Sequence, residues 1–211
     1  MKIIPFLALL FFLFPSTVRG EMKYYDGQML VLQNSKVDLW TIHGLWTCEL
    51  TGKEPDFYYK QVTDCSPFER FNLNELSGRE RSILTRVWLS NNKNTRITYQ
   101  FWEYEYEKHG SCTTDILPSC RDYLMKATVL WNILKFDDLL GPNGKYKPNT
   151  SFQAQDLLDD MEVKYEVRPL LKCNLQGELP EVWFCYTKVW KSIFCASTTD
   201  SCMGHIKYVR T

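Results

Sequence analysis

The chain has 211 residues, 45% hydrophobic and 24% charged, which supplies one compact core and hardly two. That composition excludes a disordered or low-complexity protein, and aromatics at 15% give a core rich in polar-tipped rings. Twenty-five basic side chains balance 25 acidic ones, so no broad positive field exists to grip a long duplex by charge. An enzyme that holds one or two phosphates stays open.

Residues 1–20 read as a secretory signal peptide, leaving residues 21–211 as the folded domain. Lys2 precedes an apolar run from Ile3 to Phe14, followed by Pro15, Ser16 and then Val18-Arg19-Gly20. The run is too short for a bilayer crossing, which takes roughly 20 residues. Loss of Lys2 and Arg19 leaves 23 basic and 25 acidic groups. The expectation is a secreted or lumenal protein with no stable membrane association.

In chain order, Val37 to Ile42 alternates, with Val37, Leu39 and Thr41 on one side and Asp38, Trp40 and Ile42 on the other. That is a strand, which Gly44 ends or bends. Leu76, Ile83, Leu84, Val87 and Trp88 recur at helical spacing, as do Tyr123, Leu124, Ala127, Leu130 and Trp131. A turn follows at Gly141-Pro142-Asn143-Gly144, then a short helix from Phe152 to Met161. Val182 to Tyr186 predicts a buried strand, and Lys188 to Phe194 a second one. Helices in the middle with strands at both ends predict an α+β domain.

Eight cysteines (Cys48, Cys65, Cys112, Cys120, Cys173, Cys185, Cys195 and Cys202) all follow the expected cut. An even number in an oxidising compartment allows up to four bridges, and the absence of any CxxC pair argues against zinc and thioredoxin-type sites. Asn149-Thr150-Ser151 is a glycosylation triplet in a turn-rich stretch.

The chain has three histidines, His43, His109 and His205. His43 ends the strand in Thr41-Ile42-His43-Gly44-Leu45-Trp46. His109 closes Phe101-Trp102-Glu103-Tyr104-Glu105-Tyr106-Glu107-Lys108-His109-Gly110-Ser111-Cys112. In that second segment the glutamates and tyrosines alternate like a strand, while Trp102, Glu105 and His109 fit a helix face. Under either period Glu105 and His109 point the same way, so a carboxylate stands beside an imidazole. A solvated charged helix explains the same spacing without any site. A metal held by Glu105 and His109 has no HExxH or cysteine pattern behind it.

Thr41 to Trp46 resembles the first active-site segment of the ribonuclease T2 family, usually IHGLWP, and Phe101 to Cys112 resembles the second, usually FWxHEWxKHGTC. Gln28 to Gln33 is similar to the family's opening strand, Asp138-Leu139-Leu140 through Gly144 and Pro148 to its DLL…GxxP stretch, and Leu179 to Tyr186 to its late ExxxCY strand. The resemblance covers residues 24–205. It implies a single domain with a central antiparallel sheet, helices packed around it and disulfide staples. It implies a monomeric endoribonuclease that cuts single-stranded RNA without cofactor or metal, through a 2′,3′-cyclic phosphate, and leaves DNA intact for want of a 2′-OH. By the same resemblance His109 is the base, His43 the acid, and Lys108 and Glu105 flank the phosphorane. Trp46 is either a stacking platform for a base or a core residue that closes the strand.

Some positions depart from the family pattern. Tyr104 stands where a phosphate-binding histidine is usual, and a phenol brings no positive charge. Thr47 replaces the proline after Trp46, and the stretch from Gln33 to Val37 is short where many members carry a disulfide-bearing loop. His205 matches no catalytic position. These departures favour an alternative, a secreted binding or signalling protein on the same scaffold with weak or lost nuclease activity. A disulfide-rich structural protein would leave the paired histidine segments as coincidence. The resemblance also pairs Cys65 with Cys112 and nests Cys185–Cys195 inside Cys173–Cys202. Cys48 and Cys120 are then expected to pair with each other, the alternative being two free thiols.

Overall fold

The computed structural model describes residues 23–35, 39–51, 58–65, 70–90, 95–195 and 202–210. The expected signal peptide and the start of the strand predicted from Val37 lie outside them. Among the described residues, six antiparallel strands form the main sheet. Its middle strand is β1 (Gly27–Asn34), flanked by β2 (Trp40–Thr51) and β6 (Glu181–Thr187). Beyond β2 lies β3 (Tyr58–Gln61), while β5 (Leu170–Lys172) and β7 (Ser192–Ile193) both pair with β6. A separate pair joins β4 (Phe152–Gln153) to β8 (His205–Ile206).

The run Met29-Leu30-Val31-Leu32 is apolar without interruption because both of its faces are covered. Leu30 and Leu32 enter the larger core beneath the helices, while Met29 and Val31 pack with Trp46, Cys48 and Cys185 on the other face. On the larger core lie α1 (Gly78–Val87), α2 (Thr95–Lys108), α3 (Cys120–Leu134) and α4 (Ala154–Tyr165). Ser77 and Glu80 form a reciprocal capping box at the start of α1, and Ser119 caps α3. Of the two periods open for residues 101–112, the helical one is realised. Thr98, Trp102, Glu105 and His109 are all buried, a four-three-four spacing that defines one face.

Three elements differ from expectation in extent. The helix expected from Phe152 to Met161 begins only at Ala154, after the two residues of β4, and continues to Tyr165. Gly44 bends β2 but does not end it, since pairing with β1 and β3 carries the strand to Thr51. Of the strand expected between Lys188 and Phe194, only Ser192 and Ile193 pair with β6.

Three bridges form, Cys65–Cys112, Cys173–Cys202 and Cys185–Cys195. The expected Cys48–Cys120 bridge does not, and both thiols are free and buried. Topology is the reason. Cys48 belongs to β2 and faces the cluster of Met29, Val31, Trp46 and Cys185, whereas Cys120 opens α3 in the core on the other side of the sheet. The Cys120 thiol instead donates to the Asn72 carbonyl at 3.4 Å and lies 3.3 Å from the Glu75 carboxylate. Burial pushes the Cys120 thiol up to about 12 and the Cys48 thiol higher still, so neither is a reactive thiolate. No helix among the described residues is long and apolar enough to cross a membrane.

Candidate active site

The register of β1 against β2 slips between Val31, which faces Gly44, and Leu32, which faces Ile42. His43 is the extra residue. A bulge of this kind leaves one residue unpaired and re-aims its side chain. The backbone of His43 is fixed from the helical side, where Trp88 Nε1 donates to its carbonyl at 2.8 Å. The Trp88 carbonyl in turn accepts from Trp102 Nε1 of α2 at 2.7 Å. Gly44 is required by close approach, because a Cβ there would collide with Glu105 Oε2 and Trp46 Nε1.

Helix α2 brings the second set of groups on its inward face. Glu105 is 2% exposed and His109 is 1% exposed, and Trp46 Nε1 donates to Glu105 Oε2 at 3.0 Å. The Trp46 ring lies between the two imidazoles. It meets His43 edge-on, with centroids 5.1 Å apart, and stacks on His109 with centroids 5.4 Å apart. Trp183 packs edge-on against Trp46, and Phe101 lies 5.9 Å from the His43 ring. Trp46 is itself only 8% exposed. Lys108 is half-buried on the adjoining face and donates to the hydroxyl of Tyr104, which is largely exposed, at 2.9 Å.

The two histidines are driven in opposite directions. Burial, helped by the positive charges of Lys108 and His43, lowers His109 to about 3, so its imidazole is neutral. Burial also disfavours charge on His43, but the Glu181 carboxylate 2.6 Å from its Nδ1 outweighs it and lifts His43 above the ordinary histidine value. Glu105 is raised to about 7, chiefly by burial, with His43, Trp46 and Lys108 pulling back. Neighbouring groups driven toward opposite protonation states are what acid–base chemistry requires.

His43, Trp46, Glu105 and His109 are thus brought into contact, with Lys108 and Tyr104 at their margin. Asn149 lies elsewhere, its amide Nδ2 donating to the Arg210 carbonyl at 2.9 Å and its Oδ1 accepting from the Arg210 N–H at 3.1 Å. His205 is exposed on β8 and pairs with Gln153. Sequence reasoning gave no role to Glu181 or Trp183, although Glu181 opens the ExxxCY stretch. Nothing local ties Glu181 to His43, since β1 stands between their strands.

The sequence pattern of the Ribonuclease T2 family matches residues 9–205. Ribonuclease T2-A of Mus musculus is 30% identical over 161 residues, covering 72% of this chain and 57% of its own length. The chain therefore spans little more than half of that relative. Ribonuclease DdI of Dictyostelium discoideum is 28% identical over 192 residues, covering 89% of this chain and 80% of its own. Among solved structures, the self-incompatibility associated SF11-RNase of Nicotiana alata superposes with a TM-score of 0.72 at 21% identity, covering 89% of this chain and all of that one. Ribonuclease MC1 from bitter gourd seeds gives 0.66 at 22% identity, covering 87% of this chain and all of that one.

Proposed function

The chain belongs to the ribonuclease T2 family, and from that premise we propose that it is a secreted endoribonuclease that cleaves single-stranded RNA by transphosphorylation. The observation that carries this reading is the pair of histidines on either side of Trp46, one kept neutral and the other kept charged. His109 takes the proton of the ribose 2′-OH, whose oxygen attacks the adjoining 3′-phosphate. The bond from phosphorus to the 5′-oxygen breaks, and that oxygen takes a proton from His43. The products are a 2′,3′-cyclic phosphate and a free 5′-hydroxyl.

Lys108 opposes the charge gathering on the phosphorane. Glu105, raised to about 7, is a neutral acid at mildly acidic pH and can donate to a non-bridging oxygen. Trp46 holds Glu105 and spaces the imidazoles, and Tyr104 shapes the phosphate subsite through Lys108. The nucleophile belongs to the substrate, so DNA is not a substrate. Two imidazoles and an ammonium supply the proton transfers and the positive charge that a metal ion would otherwise bring. Variants of the structural neighbour ribonuclease MC1 have been solved with 5′-UMP and 5′-GMP, the ligand class this reading requires. The signal-like residues 1–20 and the three bridges support secretion. Asn149 is the candidate glycan acceptor of the same reading.

The test is cleavage of total RNA by the purified protein. Products ending in a cyclic phosphate, insensitive to EDTA, are expected. His43→Ala or His109→Ala should each lower turnover by about 10²–10⁴-fold, with His205→Ala unchanged. Loss of activity on chelation, or equal damage from His205→Ala, would remove the assignment.

A further inference from the structure

Glu181 reaches the site from β6, 138 residues beyond His43. Its side chain is only 21% exposed, and both carboxylate oxygens are engaged. Oε1 meets His43 Nδ1 at 2.6 Å, and Oε2 accepts from Trp183 Nε1 at 2.9 Å. A carboxylate held at both oxygens fixes an imidazole in orientation as well as in charge. Because Nδ1 faces Glu181, the ring nitrogen left for the substrate is Nε2.

We propose that Glu181 is the positioning residue of the general acid, holding His43 by Nδ1 so that Nε2 presents its proton to the leaving 5′-oxygen. This rests on the reading of His43 as the acid. During the reaction the proton passes from Nε2 to the 5′-oxygen as the phosphorus–oxygen bond breaks. His43 is left neutral, with its Nδ1–H still directed at Glu181. The carboxylate itself takes up no proton.

The electrostatic surroundings agree with that role. Glu105 and Lys108 of α2 face His43 with opposite effects, Glu105 favouring its charge and Lys108 opposing it, while at His109 both Lys108 and His43 oppose a positive charge. On the other side Lys172 of β5, 4.7 Å from the Trp183 ring centre, favours the ionised Glu181. Burial works against that charge, but His43 and Trp183 outweigh it and hold Glu181 below the usual carboxylate range. Without Glu181, burial would dominate at His43, and the acid would lose its proton at lower pH.

The experiment compares Glu181→Gln, Glu181→Asp and His43→Ala on two substrates across pH. Uridylyl-(3′,5′)-adenosine has an alkoxide leaving group that needs a proton. Uridine 3′-(4-nitrophenyl phosphate) releases a phenolate that does not. Glu181→Gln should lower kcat on the dinucleotide by about 10–10²-fold, within the ceiling set by the acid itself. It should also move the alkaline limb of kcat/KM to lower pH and nearly spare the nitrophenyl ester. Glu181→Asp, which keeps the charge, should recover much of the limb.

A His43→Ala loss that is equal on both substrates would overturn the acid assignment, and this proposal with it. A substrate-dependent His43→Ala loss beside a Glu181→Gln loss that is equal on both, or absent, would overturn the role of Glu181 alone. Should Glu181→Gln fail to fold, Glu181→Ala and Trp183→Phe read the same limb, and an unmoved limb in both would overturn the proposal.

Discussion

Trp46 stacks on His109 with ring planes 27° apart while its indole N–H is bonded to Glu105, so one side chain fixes the His109 imidazole and the neighbouring carboxyl together. Trp46→Phe keeps an aromatic ring and deletes the donor. A hydrogen bond to the neutral carboxyl contributes about 0.5–1.5 kcal/mol, so turnover should fall by about 2–10-fold. The bond to Trp46 pulls Glu105 down, so its loss should leave the carboxyl titrating higher. Single-turnover cleavage and the pH profile of Trp46→Phe check both effects, and an unchanged rate would separate the bond from catalysis.

Activity should be greatest at mildly acidic pH. His109 must be neutral, which holds above about 3, and Glu105 must be protonated, which holds below about 7. His43 must be charged, and its raised value keeps it so past the ordinary histidine midpoint. A profile of kcat/KM on RNA should rise from strongly acidic pH, hold through mild acidity and fall as pH passes neutrality. Highest activity at alkaline pH would contradict the protonation states derived from the site.

Glu105 also links stability to pH. Its folded value of about 7 lies above the model-peptide range, so the native state binds the proton more tightly than the unfolded chain does. This contribution is complete at low pH and is lost as pH rises from about 4 through 7, to a total of about 3 kcal/mol. Glu105→Gln should therefore melt above the wild type at pH 8 and near it at pH 4.5. His109 acts in the opposite sense, its lowered value costing stability as pH falls from about 6.5 toward 3. Thermal melts of Glu105→Gln and His109→Ala across pH separate the contributions.

Tyr104 occupies the Lys108 ammonium with its hydroxyl. Tyr104→His should add a cation at the phosphate subsite and raise cleavage, mainly at low substrate concentration where binding limits the rate. A lower kcat/KM would show that the subsite has been rebuilt around the phenol.

Thiol chemistry should follow the topology. Under non-reducing conditions the folded protein should resist alkylation, and unfolding should expose two thiols, at Cys48 and Cys120. Peptide mapping locates them. Opening the three bridges should unfold the domain, since each closure stabilises by about 2–4 kcal/mol.

Much of this site is legible in the chain because its parts are local. Glu105, Lys108 and His109 share one helix, and His43, Gly44 and Trp46 share one strand, so their spacing survives folding. What spacing cannot give is the partner brought by a distant strand. Glu181 meets His43 only because β1 sits between β2 and β6. The Cys48–Cys120 expectation failed for a related reason. Setting aside the other pairs leaves two cysteines but does not say which face of the sheet each one takes. Cys48 stands two residues after Trp46 and shares its face, a point the alternation of β2 already contains. The segment of residues 101–112 reads both as strand and as helix because glutamate and tyrosine alternate there. Burial of every third or fourth residue decided it.

The indole bonds from Trp102 through Trp88 to the His43 carbonyl make α2 a common ruler for both histidines. The helix carries His109 at its end and reaches His43 by two N–H links, so a shift of the helix moves both imidazoles together. The distance between them is therefore insulated from the connection joining β1 to β2.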